Sequence, residues 1–496
     1  MAKFSILAGP ARGKTVPGTV NLAGGRAFAQ TARLELVSLL LTTFLEDEFY
    51  RTERQTMARI RELIARVADP RFAAKAALYA RNTHGMRSVT HFVAGELAKA
   101  VKGEAWTRRF YADLVRRPDD AVEILGCYLA LHGRPVPNSL KKGLGAALGR
   151  FDEHQLAKYR REHGVFKLVD AVNLLHPKAT PALSRLVRGG LAPAQTWETT
   201  LTRAAADAAA ATTIATHAAT AGVDATSATV AAAKSQAWAA LVRDRKLGYL
   251  ALLRNIRNIL THAPEAVEEL CGQLADERAV RRSLVFPFQF LPAAEALKHG
   301  NLPGAGRAMD ALNQAVDHSL ANVPRFEGAT LVALDTSGSM CGRPLAIGSL
   351  FAAVLVKASG ADLMVFNHEA RYLTPNRRDT TLTLARDIAS ASGGTDFNAI
   401  FECANRAYDR IIILSDMQSW LGGGAPVRAF ADYRRRHEAA PRVYSFDLKG
   451  DGTLQFPQER VCCLAGWSDR MFGIMQKLDH DPEALIREVE SIPLPG

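Results

Sequence analysis

The pattern of apolar residues changes once along this chain of 496 residues, near Pro324. From about residue 31 to 320, short segments with apolar residues at helical spacing follow one another, each ended by a polar or Gly/Pro break. Beyond Pro324, apolar runs of the buried-strand type, such as 329–337 and 410–416, alternate with helical patterns. The sequence therefore predicts a helical part, residues 1–325, followed by a doubly wound α/β domain with a parallel sheet, residues 326–496.

The helical part contains many short helices in series and no single long amphipathic repeat. This arrangement is typical of stacked helix pairs of the HEAT or armadillo kind, although no clean sequence period is present. A Gly/Pro-rich stretch, residues 1–30, is predicted to be an irregular arm that leads into the first helix near Thr31. Residues 204–233 are rich in Ala and Thr, and we interpret them as an insertion that is part helix and part flexible.

Positive charge is concentrated in the helical part. Residues 1–330 contain 44 Lys and Arg against 30 Asp and Glu, whereas the remainder contains 18 against 20. This asymmetry favours a polyanionic partner for the helical part, and the alternative is a generic basic surface.

The six cysteines exclude some classes of protein. None lies in a CxxC pair, which argues against a zinc site, and they are too sparse for a disulfide framework. The N-terminal residues lack a signal-peptide pattern, and no stretch of about 18 apolar residues indicates a membrane span. We therefore expect a cytoplasmic protein without a membrane partner. Separately, we expect the protein to be a monomer.

Side chains with oxygen atoms lie directly after two predicted strands and within one predicted loop. The motif D-x-S-x-S, residues 335–339, comes directly after a buried strand, Thr395 lies in a loop that opens a helix, and Asp416 ends the strand IIIL. Open α/β sheets bind ligands at the carboxyl edge of their strands. Hard oxygen ligands suit Mg²⁺, Mn²⁺ or Ca²⁺ rather than a zinc thiolate site. The candidate metal ligands are Asp335, Ser337, Ser339, Thr395 and Asp416.

This motif set resembles the metal-ion-dependent adhesion site of the von Willebrand A family. The resemblance implies Mg²⁺ with an open coordination position for a partner carboxylate. Helix capping by Asp and Ser after a strand is the ordinary alternative, but it explains one of the three elements. An enzymatic interpretation would make Asp335 a phosphoryl-transfer nucleophile; it is disfavoured because no lysine is obviously placed to assist.

The helical part resembles the TROVE module of the Ro autoantigen family. The matching segments are Asn21–Gly25 with Phe28, Thr196–Thr199, Leu247–Asn258 and Phe286–Phe290, of which Leu247–Asn258 is the closest match. Their order and spacing agree with the family apart from the Ala/Thr-rich insertion. Ro proteins join this module to an A domain in the same order.

The Ro resemblance implies a ring of helical repeats closed by the A domain. It further implies that a Y-like small RNA binds the outer surface and that single-stranded ends of misfolded RNAs enter the central hole. The expected role is a non-catalytic scaffold in RNA quality control, with an exoribonuclease such as polynucleotide phosphorylase as partner. Phosphate contacts need Lys and Arg, and single strands need stacking surfaces.

Basic clusters in the helical part are the candidate RNA contacts. A Lys pair follows RPVPNSL, a Lys-Tyr-Arg-Arg run provides charge beside an aromatic ring, and the segment 167–178 resembles the family's Y RNA-contacting helix and loop. That segment departs from the family at Ala171, where arginine is expected. For any single basic residue, a solvated face is the ordinary explanation. The candidate RNA-binding residues are Lys141, Lys142, Lys158, Arg160, Arg161, Lys167, His176, Lys178, Arg254 and Arg257.

Arg254 and Arg257 lie in the apolar segment LGYLALLRNIRNIL and are spaced to share one helix face, as are Asn255 and Asn258. One interpretation is that they line the hole of the ring. The alternative is a structural set that hydrogen-bonds neighbouring helices, because buried polar groups must be paired.

Two other functions remain open from the sequence. The first is a protein-interaction adaptor, in which the A domain binds a partner's acidic residue through the metal and the helical part is only a scaffold. The second is a metal-dependent RNA-processing enzyme, for which the metal site is the sole support.

Overall fold

A computed structural model describes residues 19–20, 26–29, 31–43, 52–160, 166–194, 196–216, 223–298, 301–388, 392–419, 426–449, 453–456, 462–465, 475 and 483–494. The Asn21–Gly25 motif and Arg161 lie outside these residues. The described helices are α1 Ala32–Thr42, α2 Glu53–Val67, α3 Pro70–His84, α4 Ser88–Ala100, α5 Trp106–Leu114, α6 Pro118–His132, α7 Asn138–Leu148, α8 Glu153–Lys158, α9 Leu168–Leu175, α10 Pro181–Val187, α11 Trp197–Thr216, α12 Val223–Arg243, α13 Tyr249–Arg254, α14 Ile256–His262, α15 Val267–Leu274, α16 Glu277–Ser283, α17 Leu291–Lys298, α18 Ala305–Ser319, α19 Arg343–Ser359, α20 Thr381–Ile388, α21 Asn398–Cys403, α22 Pro426–Arg436 and α23 Ala484–Glu490.

The described strands form two sheets. Their bounds are β1 Thr19–Val20, β2 Arg26–Ala29, β3 Thr330–Asp335, β4 Asp362–Phe366, β5 Ala370–Leu373, β6 Arg410–Ser415, β7 Arg442–Asp447, β8 Thr453–Leu454 and β9 Cys462–Ala465. The larger sheet has the order β5-β4-β3-β6-β7-β9, in which β5 is antiparallel to β4 and the other neighbours are parallel. The predicted fold class, helices followed by an α/β domain, is confirmed.

Central strands of this sheet are buried on both faces. Every residue of β3 and of β6 is buried, which explains why both appear in the sequence as continuous apolar runs. Helix α19 packs closely on β3, because a Cβ at Gly348 would lie 2.6 Å from the Leu334 side chain. Strands β5 and β9 were not predicted, and β5 is only partly buried, so its apolar signal is weak.

The second sheet corrects the prediction of an irregular N-terminal arm. Strand β2 pairs antiparallel with β1 and with β8, in the order β1-β2-β8. Helix α1 begins where the sequence predicts, with Thr31 as its N-cap. The strand pairing depends on residues more than 400 positions away, so local composition could not indicate it.

The chain divides into two compact units. One comprises Met1–Trp106, Pro324–Asp379 and Thr383–Gly496, and the other comprises Thr107–Val323 and Thr380–Leu382. Helices α1 to α4 thus belong to the unit that contains the large sheet, whereas the sequence placed them with the helical part. The predicted division into a helical domain, residues 1–325, and an α/β domain, residues 326–496, stays a prediction.

The C-terminal helix explains this grouping. Helix α23 packs against α1 and α3. Glu490 pairs with Arg33 at 2.5 Å, and its carbonyl accepts from Lys75 Nζ at 2.6 Å. The first helices of the chain are therefore fixed to its last helix by contacts inside one unit.

Helices α5 to α18 form the second unit, with Thr107 as its first residue. A buried hydrophobic core lies among α12 to α18 and includes Ile256, Leu270 and Leu312. The Ala/Thr-rich stretch is helical at every described position, in α11 and α12. The same two helices are in contact through Trp197 and Trp238, whose tilted rings have centroids 5.5 Å apart. The predicted helical part of this stretch is therefore present, and residues 217–222 lie outside the described residues.

The segment LGYLALLRNIRNIL is two helices rather than one. Helix α13 ends at Arg254 and α14 begins at Ile256. Asn255, at the break, is buried and donates from its side-chain amide to the Ala251 carbonyl at 2.9 Å. Asparagine bonds readily to nearby backbone and so interrupts the helix.

Two further observations concern the described residues. None of the described helices has both the length and the apolar composition needed to cross a bilayer. The described cysteines Cys127, Cys271, Cys341 and Cys403 are not in disulfides.

Gly143 is required for the close packing of α5 against α7. A Cβ there would lie 2.6 Å from Tyr111 Cβ and 2.7 Å from the Arg108 carbonyl oxygen. We expect Gly143→Ala to lower the free energy of unfolding by about 1–3 kcal/mol, because the helices must separate. Gly126→Ala in α6, where a Cβ meets nothing within 4 Å, is the control and should be neutral or stabilising by up to about 1 kcal/mol. Chemical denaturation measures both, and equal effects would contradict the packing argument.

Candidate metal centre and nucleic-acid interface

The two carboxylates of the candidate metal centre meet because β3 and β6 are neighbours. These strands run parallel with Leu334 opposite Leu414, so both end at the same edge of the sheet. Asp335 is the last residue of β3, and Asp416 follows the last residue of β6. Both side chains are fully buried. The site lies where parallel α/β sheets bind ligands.

Neutral donors satisfy both oxygens of Asp335. Its Oδ1 accepts from the Ser337 backbone N–H at 2.8 Å, and its Oδ2 accepts from Ser415 Oγ at 2.5 Å. The hydroxyls of Ser337 and Ser339 lie 3.2 Å apart, and both residues are buried. The D-x-S-x-S loop thus folds back on the end of β3, and it brings the hydroxyls of Ser337 and Ser339 together.

Asp416 has a different environment. Its Oδ1 accepts from the Gln418 N–H at 3.2 Å, while its buried Oδ2 accepts no hydrogen bond from the described residues. The ammonium of Lys449 lies 3.5 Å from this Oδ2 and donates to the Ser339 carbonyl at 2.5 Å. The sequence shows no lysine obviously placed to assist Asp335. The structure places Lys449 beside the other carboxylate, Asp416, because β7 pairs with β6.

Burial dominates the electrostatics of the carboxylates. Burial and the neighbouring charge of Asp416 raise the pKa of Asp335 to about 7, against the lowering effect of hydrogen bonds from Ser415 and Ser337. Burial also raises the pKa of Asp416, which the charge of Lys449 opposes. Two carboxylates in one buried site disfavour each other's ionisation, and a bound cation would relieve this.

Thr395 lies in a loop attached to the same edge. Its carbonyl accepts from Ser419 Oγ at 2.6 Å, and the carbonyl of Gly393 accepts from the Gly338 N–H at 3.0 Å. Gly393 has a φ of +80°, which favours glycine. Asp396 lies two residues before α21, and its Oδ1 accepts from the N–H of Asn398, the first residue of that helix, at 2.9 Å.

The structure therefore brings the five predicted ligands to one edge of the sheet, although their binding of a metal stays a prediction. The atoms that could bind a metal are carboxylate and hydroxyl oxygens. One of them, the buried Asp416 Oδ2, accepts no hydrogen bond from the described residues. This donor set fits a hard divalent cation such as Mg²⁺. Among the described residues, no group of three or more His, Cys, Asp or Glu side chains is placed to hold a metal ion. The candidate set instead combines two carboxylates with the hydroxyls of two serines and one threonine.

Several basic candidates share one surface of the second unit. Lys142 is exposed on α7, and Lys141 is half-buried beside it. The loop that carries His176 and Lys178 packs on α7, since a Cβ at Gly145 would lie 3.5 Å from Pro177 Cα. Helix α9, which contacts α7, starts immediately after the exposed Lys167. We refer to Lys141, Lys142, Lys167, His176 and Lys178 as the α7–α9 basic face.

Ala171 does not belong to this face. It is completely buried on α9. An arginine at this position would need space in a closely packed core. Position 171 therefore contributes to the packing of α9 and not to the exposed charge of this face.

A second basic feature surrounds Tyr159 at the end of α8. The guanidinium of Arg117 lies 5.0 Å from the ring centroid, and the ammonium of Lys158 lies 5.6 Å from it. Arg160 is half-buried. Arg117 was not a sequence candidate, because it lies 42 residues before the ring it contacts.

Arg254 and Arg257 are both exposed, at the end of α13 and in α14. They belong to the helices around the α12–α18 core, whereas the α7–α9 basic face lies on earlier helices. Asn258 Nδ2 donates to the Oδ1 of buried Asn255 at 3.2 Å. The asparagines therefore form the structural hydrogen bonds, and the arginines remain available to solvent.

Comparison with known proteins gives a family and a fold. The family model "TROVE domain" matches residues 26–221 and 224–334. "RNA-binding protein RO60" of Deinococcus radiodurans is 28% identical over 237 residues, which are 42% of this chain and 45% of that protein. "Telomerase protein component 1" of Rattus norvegicus is 32% identical over 117 residues, 22% of this chain and 4% of that protein. The chain thus covers less than half of these curated relatives.

A solved structure extends the comparison to most of the chain. The crystal structure of the RO (RSR) protein of Deinococcus radiodurans matches with a TM-score of 0.59 and 21% identity, covering 89% of this chain and 99% of that one. At this identity the match shows the fold. Together with the family model, it confirms the resemblance to the Ro family inferred from the sequence.

Replacing Asp335 by asparagine should stabilise the protein without divalent ions, by about 0.5–2 kcal/mol, because one of two buried carboxylates becomes neutral. Since the folded-state pKa is raised, the wild type gains stability as pH falls through about 7, so the benefit of Asp335→Asn should be larger near about pH 8 than near about pH 5.5. Denaturation in chelator at both pH values measures this. Asp432→Asn, at an exposed site, is the control and should show neither effect. A variant less stable than wild type at about pH 8 would contradict the argument.

Proposed function

Because this chain belongs to the TROVE domain family, we propose that it is a non-catalytic RNA-binding protein of the Ro type. The family match over residues 26–221 and 224–334 is the observation that carries the proposal. The net charge of +12, concentrated in the first two-thirds of the chain, supports it, since RNA is a polyanion. The Deinococcus relative is named for RNA binding.

The α7–α9 basic face is proposed to bind a Y-like small structured RNA. Lys142, Lys167, His176 and Lys178 are exposed, and the ion pairs of the described residues do not involve them. Exposed cations that are not committed to internal pairs can release counterions from a phosphate backbone. Tyr159 with Arg117 and Lys158 adds an aromatic ring beside cations, which suits unpaired bases.

Single-stranded ends of misfolded RNA are proposed to bind elsewhere, in the hole of the ring that the family resemblance implies. Arg254 and Arg257 are the candidates because both are exposed while their asparagine neighbours provide the internal hydrogen bonds. We propose that the protein presents such RNA for decay by an exoribonuclease such as polynucleotide phosphorylase.

The sheet edge is proposed to bind Mg²⁺ through Asp335, Ser337, Ser339, Thr395 and Asp416. When bound, the ion would offer an open coordination position to a partner carboxylate. The chain's own contribution is to bury the two aspartates and to fold the serine loop over them. Both Asp335 oxygens accept hydrogen bonds from Ser337 and Ser415, which argues against a nucleophilic role for this side chain.

The second candidate function is a metal-dependent protein adaptor without RNA. The buried Asp416 Oδ2 favours it, because this oxygen suits a cation rather than a nucleic acid. Partner capture that survives nuclease but is lost with chelator would support the adaptor. Capture that is lost with nuclease would support the RNA-binding protein.

Ultraviolet crosslinking in the protein's own cells, followed by sequencing of the bound RNA, tests the main proposal. We expect one abundant small structured RNA crosslinked within residues 141–178. Recovery of no RNA above background would overturn the proposal.

The double variant Lys142→Ala, Lys178→Ala should weaken binding of that RNA and reduce the slope of log affinity against log salt by about 2, one for each lost phosphate contact. Filter binding at several salt concentrations measures the slope. Lys102→Ala with Lys234→Ala removes the same charge from two other exposed positions and is the control. An equal loss in both double variants would mean that net charge, not this face, determines binding.

A further inference from the structure

Lys449 is nearly fully buried beside the candidate metal ligands. It follows strand β7 by two residues, and its own N–H donates to Asp447 Oδ1 at 3.0 Å, which fixes the backbone at this position. Its ammonium donates to the Ser339 carbonyl at 2.5 Å and lies 3.5 Å from Asp416 Oδ2. Lysine is rarely buried unless its charge is paired. This edge of the sheet is therefore built to hold a positive charge.

The charge of Lys449 is directed to one of the two carboxylates. Asp335 accepts from the Ser337 N–H and from Ser415 Oγ, which are neutral donors. Asp416 Oδ2 accepts no hydrogen bond within the described part of the chain, and Lys449 is its cationic neighbour. A buried ionised carboxylate is costly unless it is paired, so Lys449 stabilises the charge of Asp416.

We propose that Lys449 is an internal competitor for the divalent cation. This inference rests on the metal site proposed above. The ammonium and a cation held by Asp416 would use the same carboxylate, and two positive charges close together in a buried site repel strongly. The cation therefore binds as the ammonium of Lys449 withdraws from Asp416, and the affinity of the site is weaker than its oxygen donors alone would give.

The second contact of Lys449 extends the consequence to the serine loop. The same ammonium holds the carbonyl of Ser339, which is a member of the D-x-S-x-S motif. Its withdrawal releases that carbonyl, so cation binding and the conformation of the loop are coupled. Lys449 thus lowers the affinity of the metal site and couples cation binding to the serine loop.

Titration of the full-length protein with Mn²⁺, followed by electron paramagnetic resonance of the unbound ion, tests the proposal. We expect Lys449→Met to bind Mn²⁺ at least about tenfold more tightly than wild type, since a like charge within a few ångströms of the site is removed. Lys357→Met is the matched control: Lys357 is half-buried and donates to the Asp379 carbonyl at 2.8 Å in the same unit. Its affinity for Mn²⁺ should equal that of wild type.

Two further variants separate charge from packing. Lys449→Gln can still donate to the Ser339 carbonyl and should also bind more tightly, and it carries the test if Lys449→Met does not fold. Lys449→Arg keeps the positive charge and should not bind more tightly than wild type.

The outcomes distinguish the competitor from the metal site itself. If wild type binds Mn²⁺ and the folded neutral variants bind it equally or less tightly, the metal site stands and the competitor is excluded. If neither wild type nor the folded neutral variants bind Mn²⁺, the metal site fails and the competitor fails with it. Tight binding confined to the neutral variants would support both.

Discussion

The parallel pairing of β3 with β6 is the interaction on which the candidate metal centre depends. It places Asp335 and Asp416 at one buried edge, where water cannot screen their charges. The surrounding contacts reduce the cost of burying these two carboxylates. Ser415 and the Ser337 N–H satisfy Asp335, and Lys449 lies beside Asp416. A site assembled in this way stores unfavourable free energy that a bound cation can recover.

The pairing of β6 with β7 adds the third charged group. Ser415 lies opposite Asp447, so the residues that follow both strands come together and Leu448 N–H donates to the Ser415 carbonyl at 2.9 Å. Lys449 thereby reaches a carboxylate 33 positions earlier in the chain. The order of strands in the sheet determines which side chains meet at this edge. The D-x-S-x-S motif alone does not determine that Lys449 lies beside Asp416.

These pairings also explain which features the sequence could predict. Strands β3 and β6 are buried on both faces, so their apolar runs and the polar residues that end them are visible without a structure. The short strand β5 is partly exposed, and β2 pairs with β8 across most of the chain, so neither has a local signal. Lys449 was missed for a related reason: its role comes from sheet order, whereas its neighbours in sequence are unremarkable. The break at Asn255 depends on a side-chain hydrogen bond inside an otherwise apolar segment.

The two candidate sites differ in how strongly water and salt screen their charges. The lysines of the α7–α9 basic face are exposed apart from half-buried Lys141, and each contributes little in water and loses effect as salt is added. The sheet edge holds four buried ionisable side chains, Asp335, Asp416, Asp447 and Lys449, whose mutual interactions salt screens much less. Added monovalent salt should therefore weaken contacts to a polyanion while leaving the balance between Lys449 and a divalent cation nearly unchanged.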